Sequence, residues 1–88
     1  MIAVVGYLLV DPRHRGRAIE LSLAAVRAAR MTPGCVDFAV SPDPLDTARI
    51  NVSERWVDRT TLQHFRGSGP TGELADLIHE ASVDEYEI

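Results

Sequence analysis

Thr32-Pro33-Gly34-Cys35, followed by Arg49-Ile50-Asn51-Val52-Ser53-Glu54-Arg55-Trp56 and then by Asp58 and His64, is the run that decides the fold. Pro33 biases Thr32 away from the helical region, and Gly34 permits a positive φ, so a helix stops here. A strand starts at the lone Cys35. Residues 48–57 form the next strand, with Ile50, Val52, Glu54 and Trp56 on one face and Arg49, Asn51, Ser53 and Arg55 on the other. Asp58 then reads as an N-cap, with Val57 and Leu62 at the N′ and N4 positions of a hydrophobic staple. The short helix that follows delivers His64 and ends near Arg66-Gly67.

Upstream of this run, residues 16–31 form a helix rich in Ala, with Ile19, Leu23 and Val26 as its apolar stripe. The first strand spans residues 2–10. One of its faces carries Ile2, Val4, Leu8 and Val10, the other Ala3, Val5, Tyr7 and Leu9, so both faces want cover. Residues 35–41 alternate, with Val36, Phe38 and Val40 opposite Cys35, Asp37 and Ala39. Ser41-Pro42-Asp43-Pro44 is a turn-rich connection. Downstream, Gly67-Ser68-Gly69-Pro70 is a flexible break. A second short helix over about 71–79 presents Leu74, Leu77 and Ile78, and residues 80–88 make an acidic last strand suited to a sheet edge.

The order is β-α-β-β-α-α-β. It predicts an α+β, ferredoxin-like layout with a four-stranded antiparallel sheet, as one domain over residues 1–88. Helices can cover only one face of such a sheet. A second copy of the chain is the simplest cover for the other, which predicts a homodimer.

Composition narrows the function. The 88 residues carry a net charge of −4, and from Gly67 onward every charged side chain is acidic. No basic face suited to nucleic acid is expected. One basic cluster, Arg13, Arg15 and Arg17, is either a solvated helix start or an anion contact. There is no lysine, which removes Schiff-base chemistry on Lys. A single cysteine forms no internal disulfide and fits a reducing cytoplasm, and no apolar run is long enough to span a membrane. The apolar start has no basic leader and reads as a strand rather than a signal peptide. His14, His64 and His79 lack metal-ligand spacing, and Gly67-Ser68-Gly69 lacks the Lys of a phosphate loop.

The ordered set Gly16, Pro33-Gly34-Cys35, Glu54-Arg55-Trp56, Asp58 and His64 resembles the antibiotic biosynthesis monooxygenase family, quinol monooxygenase-like members of the dimeric α+β barrel superfamily. The resemblance covers nearly the whole chain. It implies a dimer with one pocket per subunit between helices and sheet. Family members include quinol and polyphenol monooxygenases that need no metal, flavin or haem, so no cofactor is expected. Others degrade haem, with a ligating His on the last helical segment; here His79 falls at or beyond that segment's end.

Seven residues are candidates for chemistry. His64, near a helix C-terminus that favours its charged form, is a general base or a structural tie. Glu54 is a carboxylate on an apolar face, which must be paired or have a raised pKa; it orients a partner, acts as a base, forms a structural ion pair, or lies at an edge open to water. Tyr7 could hold a substrate oxygen. Trp56 and Phe65 would shape a pocket, or pack in the core. Asn51 and Arg55, opposite Glu54, are binding candidates or dimer-interface polars. Cys35, with no cation beside it in sequence, reads as an inert thiol. The expected function is cofactor-independent oxidation of a small phenolic, quinol or polyketide-like aromatic by O2. The alternatives are a non-catalytic small-molecule-binding dimer and a non-oxidative isomerase or cyclase.

Overall fold

A computed structural model describes residues 1–67 and 70–88. Strand β1 (Ile2–Val10) leads through a 3-10 turn (Pro12–His14) into helix α1 (Arg15–Arg30). Strands β2 (Cys35–Pro42) and β3 (Arg49–Trp56) form a hairpin. Helices α2 (Arg59–Arg66) and α3 (Gly72–Leu77) precede β4 (Ile78–Glu87). The sheet order is β2-β3-β1-β4, with every pair antiparallel. This is the ferredoxin-like β-α-β-β-α-α-β arrangement expected from the sequence, with the acidic β4 at an edge. The break expected at Gly67–Pro70 includes Ser68 and Gly69, which lie outside the described residues.

The α1–β2 corner follows from its residues. Thr32 Oγ1 donates to Ala28 O at 2.7 Å, closing the last turn of α1, and Gly34 sits at φ 94°. Gly34 O then accepts from Val57 N at 2.9 Å, so the corner is tied to the start of α2. Asp58 caps α2, accepting from Thr61 N at 2.8 Å and from Thr61 Oγ1 at 2.7 Å.

Two clusters make up the core. Ile2, Val4, Val26, Phe38, Trp56 and Leu62 pack at one end, and Val10, Ala18 and Ile50 at the other. The cross-strand pairs Ile2–Trp56, Val4–Glu54 and Leu8–Ile50 set this inner face. Helix α1 lies on it differently from the expected stripe. It buries Ala18, Ser22, Val26 and Ala29, while Leu23 is 37% exposed. Small side chains at i, i+4, i+8 and i+11 let the helix settle close to the strands, and that close approach turns Leu23 outward.

Two further expectations are corrected. Strict alternation groups Val36 with Phe38 and Val40, but a bulge between Cys35 and Asp37 breaks it. Cys35 pairs with Trp56 and packs on the core, and Val36 is left 44% exposed. Helix α3 ends at Leu77 rather than near 79, because Ile78 is already extended (φ −81°, ψ 116°) and pairs with Val10. His79 therefore stands exposed on β4.

The basic cluster is absorbed by the fold. Arg13 pairs with Asp11 at 2.7 Å and Arg17 with Glu73 at 2.8 Å, while Arg15 donates to the carbonyls of Asp43 and Asp46. No helix among the described residues is long and apolar enough to cross a membrane.

Candidate active site

Between the sheet and the helices lies a cavity of about 470 Å³. Leu8, Val40, Val52 and Val83 form its floor from all four strands, and α1 contributes Ser22. Phe65 and Arg66 enter it from α2 and Leu74 from α3. Glu54 supplies its one carboxyl group among the described residues. The volume suits a small aromatic molecule, and an apolar wall with few polar groups is the usual make-up of a ligand site.

Glu54 is 8% exposed. Strand alternation puts it on the inner face with Trp56 two residues on, and Trp56 Nε1 donates to Glu54 Oε1 at 2.9 Å. Oε2 accepts no hydrogen bond among the described residues, and none of their fully buried side-chain polar atoms is left unpaired. Oε2 is thus the oxygen open to the cavity. Burial pushes the Glu54 carboxyl above its ordinary 4.5. The Trp56 hydrogen bond and the Arg66 charge oppose that rise, and the charge of Glu85 adds to it.

Trp56 itself is fully buried. Its ring lies 5.1 Å from Phe65 and 6.5 Å from Phe38, and the two Phe rings meet edge-on at 5.7 Å. Of the three, Phe38 and Phe65 reach the cavity while Trp56 backs them. The indole therefore holds Glu54 and offers no stacking surface.

The sheet divides the remaining candidates. Tyr7 pairs with Asn51, and both belong to the outer face. There Asn51 Nδ2 donates to Asp43 Oδ1 at 2.9 Å, Arg49 Nε donates to Asn51 Oδ1 at 2.7 Å, and the Arg49 guanidinium lies 4.2 Å over the Tyr7 ring. Arg55 is exposed on the same face, 4.0 Å from Asp37. A shallow hollow of about 440 Å³ is lined by Tyr7, Arg49, Asn51 and Tyr86. Two of its polar groups, Arg49 and Asn51, already satisfy one another. His64 is exposed and does not line the inner cavity. Leu62 is fully buried, and two residues further along a helix is a turn of about 200°, which points His64 away from the sheet. Phe65 and Arg66, at three and four residues from Leu62, return to the inner side.

Residues 1–76 match the family model described as antibiotic biosynthesis monooxygenase. The chain belongs to that family. The same fold recurs among solved structures. Rv0793 from Mycobacterium tuberculosis superposes with a TM-score of 0.82 at 19% identity, covering 99% of this chain and 93% of that one. A protein from Nitrosomonas europaea titled as an antibiotic biosynthesis monooxygenase gives 0.84 at 17%, covering 99% and 97%. A similarly titled protein from Caulobacter crescentus CB15 gives 0.85 at 15%, covering 99% and 88%. At these identities the likeness concerns the fold. No curated protein sequence matches the chain.

In this member of the antibiotic biosynthesis monooxygenase family, two polar residues of the cavity, Ser22 and Arg66, carry only faint signals in the sequence. Ser22 is 5% exposed and donates to Ala18 O at 2.8 Å. Its signal was a lone hydroxyl four residues from both Ala18 and Val26. For Arg66 it was the spacing from Leu62. Cys35 is kept as a thiol, since burial pushes its pKa up. Among the described residues no group of three His, Cys, Asp or Glu side chains is placed to hold a metal ion.

Proposed function

We propose that the protein is a cofactor-independent monooxygenase that oxidises a small phenolic, quinol or polyketide-like aromatic with O2, and that Glu54 is its base. The observation that carries this reading is the half-satisfied Glu54 carboxyl, one oxygen fixed by Trp56 and the other open to an apolar cavity. A carboxylate with a raised pKa is a stronger base than one in water, and a fixed orientation aims it.

In the proposed reaction Glu54 takes the phenolic proton. The resulting anion passes one electron to O2, and the substrate radical and superoxide combine at a ring or methylene carbon. The hydroperoxide then loses water to give a quinone or ketone. One oxygen atom stays on the product and the other leaves as water, with hydrogens from the O–H and C–H bonds. The substrate is the reductant, so the scheme draws on no metal, flavin or haem. His64 was the first candidate for the base; its exposure favours Glu54 in that role.

The functional unit in this reading is a homodimer in a reducing cytoplasm. The outer face supports it, because Val5 and Tyr86 are 42% and 52% exposed beside the Tyr7–Arg49–Asn51 network. A solution mass of twice 9.7 kDa is expected by light scattering, and a monomer at all concentrations would remove the dimer.

Oxygen uptake with a panel of hydroquinones and naphthols tests the chemistry. Glu54→Gln should lower kcat by about 10²–10⁴-fold, the usual worth of a positioned base. His64→Ala should leave it near wild type. Uptake insensitive to Glu54→Gln, or absent with every substrate, would refute the reading.

A further inference from the structure

Arg66 is the one basic side chain among the described residues that line the cavity. Its NH1 lies 2.8 Å from Glu85 Oε2 on β4. The other oxygen of Glu85, Oε1, accepts from Arg59 NH1 at 2.6 Å. Arg59 and Arg66 are seven residues apart on α2, two helical turns, and only Arg66 reaches the cavity. Glu85 is therefore held twice. If Arg66 turns to a ligand, Arg59 keeps Glu85 paired and α2 tied to the sheet. The Arg66 side chain is 39% exposed, and an ion pair that exposed is easily exchanged.

We propose that Arg66 determines specificity in this cavity by taking the carboxylate of a hydroxyaryl carboxylate whose phenolic group is presented to Glu54. This rests on the reading of the cavity as the substrate site and adds the substrate's charge. A guanidinium fork matches a carboxylate with two parallel hydrogen bonds, whereas the ring system of such a ligand is suited to Phe38, Phe65 and Leu74. Among the described lining residues only Arg66 can pair with a ligand carboxylate, and Arg59 stays on Glu85 to offset that neighbour's charge when Arg66 turns. The chain's net charge of −4 gives no long-range attraction for anions, so the selection is by contact.

The test is equilibrium binding by calorimetry under argon, using naphthalene-2-carboxylate and its neutral, near-isosteric amide. Wild type should bind the carboxylate on the order of tenfold more tightly than the amide. Arg66→Gln should equalise the two, and Arg66→Lys should keep part of the preference. Arg59→Gln leaves Glu85 with Arg66 as its one remaining partner of the two, so it should weaken the preference without abolishing it. Equal binding of both probes by wild type, binding of neither, an unchanged ratio in Arg66→Gln, or an equal loss in Arg59→Gln would each overturn the proposal. No oxygen is consumed in this measurement. A protein that discriminates the probes but oxidises nothing keeps this inference and loses the oxygenase reading. One that oxidises neutral phenols through Glu54 without discriminating does the reverse.

Discussion

The indole Nε1 of Trp56 donates to the Oε1 of Glu54 at 2.9 Å, between two side chains that neighbouring strands and helices almost close off from water. The two residues sit two apart on β3, so the pleat that puts both on the inner face also brings them into contact. Glu-x-Trp is in this sense a single device: a carboxyl and the donor that steadies it.

Removing only that donor separates packing from hydrogen bonding. Trp56→Phe keeps a ring in the aromatic trio but leaves a buried acceptor unpaired, which costs about 1–3 kcal/mol. Trp56→Ala should cost about 3–5 kcal/mol, because it also opens a cavity. Urea denaturation followed by circular dichroism measures both. Trp56→Phe should also move the Glu54 pKa further up, since the indole bond holds it down.

Glu54 makes folding pH-dependent in a direction opposite to most carboxylates. Its folded pKa lies above the ordinary 4.5. Below that value both states are protonated and it costs nothing. As pH rises past 4.5 the unfolded chain ionises first, and stability falls until the native group ionises too. Thermal melts between pH 4 and 8 should show this decline in wild type relative to Glu54→Gln, which lacks it. Parallel curves for the two proteins would contradict the buried, destabilised carboxylate.

Asp43 acts with the opposite sign. Hydrogen bonds from the Asp46 N–H, the Asn51 amide and the Leu45 N–H lower its pKa from 3.8 to about 2. Its contribution is complete above 3.8 and disappears as pH falls toward about 2. Asp43→Ala should lose stability at neutral pH and flatten the acid limb of the curve over that window. NMR titration of the Asp43 carboxyl would give the shift directly.

Gly34 tolerates no side chain. Its φ of 94° disfavours L-residues, and an added Cβ would stand 2.5 Å from Thr61 Cγ2. Gly34→Ala should cost at least about 1–2 kcal/mol, the scale of left-handed backbone strain. Thr61→Ser in the same chain removes that methyl and keeps the hydroxyl bound to Asp58, so it should recover part of the loss. Equal stability of the single and double variants would assign the whole cost to the backbone.

The order of elements was legible because its punctuation is local. Pro33-Gly34 stops α1, Asp58 starts α2, and the parity of β3 shows in its own residues. The bulge at Val36 was not legible, since it depends on how β2 meets β3. The buried face of α1 is not legible in the sequence, because size favours Leu23 whereas close approach to the sheet favours Ala18 and Ser22. For the site, β3 alone showed that Asn51 and Arg55 oppose Glu54. That Tyr7 joins them needs the Tyr7–Asn51 register, which no single strand contains. The outward turn of His64 is readable from its spacing to Leu62, whereas its residue type alone suggests a base.

Because β3 writes the cavity wall on its even positions and the outer face on its odd ones, two surfaces can be altered without interfering. A combinatorial library at Val52, Phe65, Arg66 and Leu74 would reshape the enclosed space while leaving Asn51, Ser53 and Arg55 as they stand. The shape of the cavity and the character of the outer surface could be changed in separate rounds of selection, and the two sets of changes then combined.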